Sequence, residues 1–248
     1  MKKIYFNLFL FFLVIAALFT SHCESNEQAF DVGTDGIGGS LARFAVSNNH
    51  LYTVDGESLN IFDLSQPDRP ELVGNVFVGT AIETIFPRDS FLFIGSRLGI
   101  YIYSVSEPAS PIQLSQVTHV FSCDPVVADD SFAYVTLRSI ENVCGQFTNQ
   151  LDIIDIKDKR NPFIQITYPM TSPQGLGIDK NRLFVCDEGL KMFDATNVDS
   201  LVQLDYLNIQ VSDVIPLDGN VMVIGDDGFA QYSYLRDSLS LLSVIPVE

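Results

Sequence analysis

Leu51-Tyr52-Thr53-Val54 recurs in kind as Phe91-Leu92-Phe93-Ile94, Phe132-Ala133-Tyr134-Val135, Leu183-Phe184-Val185-Cys186 and Val221-Met222-Val223-Ile224. These runs begin at residues 51, 91, 132, 183 and 221, at intervals of 40, 41, 51 and 38. Short β-type runs repeating every ~40 to 45 residues are the mark of propeller blades. The spacing predicts an all-β chain, a five-bladed β-propeller of four-stranded antiparallel blades. The repeats fall near residues 41–80, 81–120, 121–170, 171–210 and 211–248.

Around the first run, one blade can be written out. Leu41 to Val46 reads as strand A, and Ser47-Asn48-Asn49-His50 as a turn of residues that tolerate a left-handed backbone. Leu51 to Asp55 is strand B, and Asp55-Gly56 opens the next turn with a glycine for positive φ. Leu59 to Leu64 is strand C. The prolines of Ser65-Gln66-Pro67-Asp68-Arg69-Pro70 lack a donor and end the strand, and Glu71 to Val78 is strand D. The residue closing strand C in the five repeats is Asp63, Ser104, Asp155, Asp194 or Ser233. Each can accept a bond from a backbone N–H in the following turn, a structural task.

With that blade on the page, the chain resembles a known family. Leu59-Asn60-Ile61-Phe62-Asp63-Leu64-Ser65, with Pro67, Pro70, Leu72, Val73 and Gly74 after it, is similar to the LVIVD repeat. Leu151-Asp152-Ile153-Ile154-Asp155 nearly spells the motif. Repeats four and five lose the prolines of the C–D turn. The resemblance spans about residues 41–248 and implies secreted or lipidated bacterial β-propellers, with no enzyme implied. Ring closure has three readings. Ala29-Phe30-Asp31-Val32 pairs at the edge of the last blade, the first and last blades meet only through apolar faces, or the ring stays open until a partner closes it.

The first 22 residues read as an address. Met1-Lys2-Lys3 is basic, Ile4 to Phe19 is apolar apart from Asn7, and small residues precede a polar break. That is the layout of a secretory signal, its apolar run being short for a membrane span of ~20 residues. Cys23, with Ser21 before it, resembles the lipobox of bacterial lipoproteins, whose cysteine is acylated. His22 departs from the small residue that pattern has there. An uncleaved anchor and ordinary cleavage are the alternatives. Residues 23–40 follow as an acidic, Gly-rich tether. The expectation is an outer-membrane lipoprotein of the cell envelope, held to the membrane through its lipid anchor alone.

Without residues 1–22 the chain carries 12 basic and 31 acidic residues, a net charge near −19. Such a field repels phosphate backbones and excludes nucleic acid as a partner. Cys186 aligns with Val54, Ile94, Val135 and Ile224 and is expected as a small buried hydrophobe. Lipidation of Cys23 then leaves Cys123 and Cys144 as the disulfide pair. Cys144 lies in the one clear insertion, Ser139 to Gln150 between strands B and C of repeat three. Cys123 starts strand A of the same blade, on the same face. Closing that loop contributes roughly 3 kcal/mol in the chain-entropy model. The bridged loop is either a binding loop or a decoration kept folded by its bridge.

One further set stands eight residues before each B-strand run: Arg43, Glu83, Asp124, Gly175 and Asp213. These residues are expected to ring one mouth of the central channel. Their carboxylates can ligate a hard cation such as calcium, which Arg43 would oppose, or bond the backbone of neighbouring blades. The Asp-Gly runs at the B–C turns match turn chemistry and fit no twelve-residue calcium loop. No G-x-S-x-G, H-E-x-x-H or P-loop motif occurs. Tryptophan, the strongest platform for stacking a sugar ring, is absent. The expectation is a non-catalytic binding or scaffold module without cofactor, its partner another envelope or extracellular protein. Glycan binding, or glycoside hydrolysis by a spatial pair of carboxylates, is the alternative.

Overall fold

The computed structural model describes residues 38–118, 125–139, 149–226 and 228–246. These form twenty strands in five four-stranded antiparallel sheets. Blade one holds β1 (Phe44–Ser47), β2 (His50–Val54), β3 (Ser58–Asp63) and β4 (Glu71–Phe77). Blade two holds β5 (Ile82–Arg88), β6 (Phe91–Ser96), β7 (Gly99–Ser104) and β8 (Ile112–Thr118). Blade three holds β9 (Val126–Ala128), β10 (Phe132–Leu137), β11 (Gln150–Asp155) and β12 (Phe163–Pro169). Blade four holds β13 (Pro173–Asp179), β14 (Arg182–Asp187), β15 (Leu190–Asp194) and β16 (Val202–Leu207). Blade five holds β17 (Asp213–Leu217), β18 (Asn220–Gly225), β19 (Gly228–Ser233) and β20 (Ser240–Pro246). Each sheet runs A-B-C-D in sequence order, so the five-bladed propeller is the fold.

The turn chemistry acts where the sequence places it. Asn48 and Asn49 take φ of 49° and 59° in the first A–B turn, and Gly56 takes 108°. Asp63 Oδ1 accepts from the Ser65 amide at 2.7 Å, Asp155 Oδ1 from Lys157 at 3.0 Å, and Asp194 Oδ1 from Thr196 at 2.9 Å. Ser104 makes the same contact with Ser106 at 3.4 Å. The Ser65 amide holds the Asp63 carboxyl below its usual range, and the Thr196 hydroxyl, then its amide, does the same for Asp194. Every blade also carries a bulge between strands C and D, opposite Ile61/Phe62, Ile102/Tyr103, Ile153/Ile154, Met192/Phe193 and Gln231/Tyr232. A bulge adds one residue to the outer strand and increases its twist.

Packing is between blades. One hydrophobic cluster joins blades one and two through Tyr52, Ile61, Ile85 and Ile94, and a second joins blades two and three through Phe93, Ile102, Val126 and Val135. A third joins three and four through Tyr134, Ile153, Leu183 and Val185, and a fourth joins four and five through Phe184, Met192, Val214 and Val223. Each blade thus has a leading face toward its predecessor and a trailing face toward its successor. In β6, β10 and β14 five consecutive residues are buried, because a neighbour covers both faces. In β2 and β18 burial falls on alternate residues, because only one face is covered.

No hydrophobic cluster among the described residues joins blade five to blade one. The leading face of blade one leaves Phe44 58% exposed, and the trailing face of blade five leaves Ile245 66% exposed. Among the described residues the first and last blades therefore do not meet through apolar faces. Ala29 to Val32 lies outside the described residues, as do Cys23, Cys123 and Cys144. Cys186 is buried with a free thiol, as its position in the strand predicts.

Register corrects the alignment of the repeats. The B strands start at His50, Phe91, Phe132, Arg182 and Asn220, so the runs of repeats two and three are one residue out of step with the others. A one-residue slip in a strand exchanges its faces. Ile94 and Val135 accordingly point to the preceding blade, whereas Val54 and Cys186 point to the following one.

A stapled channel with an acidic mouth

The A strands line the axis, and their starts form one mouth of the channel. Through strand pairing, the position opposite the fifth residue of strand B is Arg43, Thr84, Pro125 and Asp213 in blades one, two, three and five. The corrected register thus puts Thr84 and Pro125 where Glu83 and Asp124 were expected. The acidic ring at this mouth reduces to Asp213. Glu83 instead accepts a hydrogen bond from Arg97 Nε at 2.6 Å. Arg43 is exposed, and Asp124 lies outside the described residues. Among the described residues no group of three or more His, Cys, Asp or Glu side chains gathers to hold a metal ion.

Asp213 is buried, and a segment of the chain before strand A sits on it. Ser40 Oγ donates to Asp213 Oδ1 at 2.8 Å, and the Leu41 amide donates to Oδ2 at 3.2 Å. The same Ser40 hydroxyl accepts from the Leu176 amide of blade four at 2.9 Å. Two residues on, Ala42 C=O accepts from the Ile85 amide of blade two at 2.9 Å. Residues 39–42 therefore staple blades four and five to blades one and two at the axis. A Cβ at Gly39 would lie 2.1 Å from Asp213 Oδ2, and one at Gly175 would lie 2.2 Å from Oδ1. Only glycine lets both backbones approach this carboxylate so closely. Burial pushes the Asp213 pKa up, against the lowering effect of its hydrogen bonds. β1 begins at Phe44 rather than Leu41, because Gly39 to Ala42 belong to this staple.

The other mouth opens into a cavity of about 910 Å³, lined by the A strands and A–B turns of blades two to five with Gly38 and Ser40 at its floor. Its charged lining is Asp89, Asp129, Asp130, Asp179 and Asp218, with Arg88 and Lys180 among them. Several of these groups hold structure. Asp129 Oδ1 accepts from the amides of Ser131 and Phe132 at 2.7 and 2.8 Å, and its Oδ2 from the Tyr134 hydroxyl at 2.9 Å. Asp179 accepts from the Tyr234 hydroxyl at 2.5 Å, and Asp130 from Arg88 Nη2 at 2.6 Å. Burial first, then the neighbouring carboxylate, raises the pKa of both tyrosines. The sequence carried a signal for this mouth: an Asn or Asp recurs just before each B strand, at Asn48, Asp89, Asp129, Asp179 and Asp218. In the first repeat that signal reads as turn chemistry alone.

The LVIVD-repeat family pattern matches residues 38–78, which are blade one together with its staple. The other four blades share that blade's strand order and its bulge. The chain is a five-bladed β-propeller whose first blade matches the LVIVD repeat. No curated protein matches its sequence.

The solved structures similar to this propeller share its fold at low identity. A functionally unknown protein from Desulfotomaculum acetoxidans superposes with a TM-score of 0.64 at 13% identity, covering 86% of this chain and 69% of that one. A protein from Lactobacillus plantarum gives 0.60 at 16% identity, covering 80% and 69%. The periplasmic gluconolactonase of Pseudomonas aeruginosa gives 0.59 at 12% identity, covering 80% and 68%.

Proposed function

We propose that this LVIVD propeller is a lipid-anchored module of the cell envelope that binds another envelope or extracellular protein without covalent chemistry. One observation carries the binding role. Ile112, Phe163 and Val202 occupy the same place, the first residue of the outermost strand, in blades two, three and four, and each is more than half exposed. Single exposed apolar residues are ordinary, but a repeated row of them on a rigid rim is a contact surface. It stands out on a chain whose net charge is −17. The anchor rests on Cys23 behind its apolar leader.

The test is protease shaving of intact cells, followed by photo-crosslinking from position 163. Loss of the protein on shaving, with a discrete crosslinked species that Ile112→Asp and Val202→Asp abolish, supports an outward-facing binding module. Protection until the envelope is opened places the same module on the periplasmic side. Absence of a crosslinked species in both compartments overturns the binding role. A chain that stays in the aqueous phase after detergent partition overturns the anchor.

The second reading is a glycan-binding or glycan-cleaving propeller, favoured by the size and acidity of the cavity. Hydrolysis needs two carboxylates on either side of a sugar bond. Asp129 and Asp179 are held by tyrosine hydroxyls and Asp130 by Arg88, leaving Asp89 and Asp218 as the candidates on this wall. Turnover of a glycan that Asp218→Asn removes without loss of folding would put this reading first.

A further inference from the structure

The exposed rim row and the axial cavity open on the same face of the propeller. In every blade a carbonyl of the A–B turn accepts a bond from the amide just after strand C. The pairs are Leu64 on Asn49 at 2.9 Å, Val105 on Ser90 at 2.8 Å, and Ile156 on Ser131, Ala195 on Asn181 and Tyr234 on Gly219, each at 2.9 Å. The A–B turns that frame the cavity mouth therefore stand beside the C–D turns. Strand D begins directly behind those turns, at Ile112, Phe163 and Val202 in blades two to four. One partner can cover both features.

The cavity is apolar within and acidic at its lip. Phe86, Phe132, Ile178 and Pro216 line it, partly buried, from blades two, three, four and five, and Leu217 beside them is 56% exposed. The carboxylates of the lining come from the same four blades and so are spread around the mouth. Asp89 and Asp218 are exposed there. Asp89 lies 3.8 Å from Arg88 Nε, and that guanidinium is already bound to Asp130. No hydrogen bond or ion pair among the described residues engages the Asp218 carboxylate. A hard metal ion needs its oxygen ligands gathered, and no such group forms among the described residues. At about 910 Å³ the space is that of a pocket for a whole ligand, in the usual range of ~300–1,000 Å³.

We infer that the cavity takes a basic segment of the partner that covers the rim row: an apolar tip enters, and lysine or arginine residues flanking it meet the carboxylates at the lip. This rests on the protein-partner reading above and names what that partner must carry. Charge complementarity identifies the occupant. The whole chain carries −17, so its field draws cations to the mouth. A small free amine would reach the carboxylates of one blade and leave the apolar wall uncovered. A peptide spans several blades and covers the wall as well.

The test is fluorescence anisotropy of the full chain in detergent, with a labelled peptide that has leucine and phenylalanine at its centre and lysines at each end. The peptide is expected to bind, more weakly as salt is raised, and a version with glutamates for lysines is not. Asp89→Asn/Asp218→Asn should weaken binding roughly tenfold, about what two exposed ion pairs at the top of their range contribute. These residues have φ of 50° and 43°, a conformation asparagine also adopts, so circular dichroism and melting should not change. Where the double variant fails to fold, Asp218→Asn alone replaces it. Glu57→Gln/Asp226→Asn removes the same charge from B–C turns on the opposite face and should leave binding unchanged. Absence of binding, equal weakening by both double variants, or displacement by spermidine as effective as by unlabelled peptide would each overturn the inference. The peptide needs no rim contact. Peptide binding without a crosslink from position 163 would overturn the rim row alone, and a crosslink without peptide binding would overturn this inference alone.

Discussion

Replacing Ser40 with alanine should destabilise the propeller far more than the loss of one hydroxyl suggests. Ser40 is buried, and its hydroxyl serves two buried groups. It donates to the Asp213 carboxylate at 2.8 Å and accepts from the Leu176 amide at 2.9 Å, and Leu176 is itself fully buried. Leaving a buried N–H without a partner costs about 1–3 kcal/mol, and a hydrogen bond to a charged group contributes about 1.5–3 kcal/mol. The lower halves of both ranges apply, because burial already favours the neutral form of Asp213. The expected loss is about 3 kcal/mol, a large share of the ~5–15 kcal/mol that holds a typical domain folded. For a domain of this size that is a fall in Tm of roughly 6–12 °C. Thermal and urea melts of wild type and Ser40→Ala measure it, with equal urea slopes confirming that the denatured state is unchanged. A loss below about 0.5 kcal/mol, the ordinary scatter of surface substitutions, would refute the staple as a closure device.

The remaining predictions probe the same channel and its surroundings. Gly39→Ala should cost about 1–3 kcal/mol by overpacking against Asp213, and its effect should fall short of additive with Ser40→Ala because both act on one contact. Asp213 carries a folded-state pKa above its model value of 3.8, so the folded chain holds that proton more tightly than the unfolded chain. Its contribution to stability is therefore greatest below 3.8 and declines as pH rises through the raised value. Asp213→Asn should remove that declining component from the stability–pH curve, and an unchanged curve would refute the assignment. Burial, then the Asp213 charge, pushes the Cys186 thiol up, so peptide mapping after alkylation at pH 8 should find it modified only once the chain is unfolded. Arg182→Ala, which loses a rim pair with Asp237 at 2.6 Å, should cost no more than about 1 kcal/mol.

The number of blades and the order of their strands were legible because they rest on short-range signals. Alternation, turn residues and prolines act within a few positions, and the Asp63, Asp155 and Asp194 turn bonds follow from composition alone. Strand phase was less legible. Phe91-Leu92-Phe93-Ile94 is apolar at every position, so nothing local says which residues face backward and which forward. Two blades cover that strand, and both faces call for apolar side chains. The slip this allowed moved Glu83 and Asp124 into a ring that pairing assigns to Thr84 and Pro125. Gly38-Gly39-Ser40 reads as a linker for a related reason. Small residues signal freedom when nothing is near, and close approach when a buried carboxylate is.

The open junction was hidden from the sequence by the repeat itself. Strand β18 carries Met222 and Ile224 on its uncovered side, and β2 carries Leu51 on its own; by composition these blades match their covered neighbours. A terminal blade meant to face solvent replaces such residues with charged ones, as terminal repeats of stacked proteins do. The first and last blades here retain interior chemistry on both faces. The staple meanwhile joins the two ends at the axis, through Ser40, Asp213 and Ala42. Together these features separate two tasks that a closed ring performs with one interface: holding the blades in register around the channel, and covering their apolar faces. The staple performs the first within a single chain. The second it leaves undone among the described residues, where no hydrophobic cluster joins blade five to blade one.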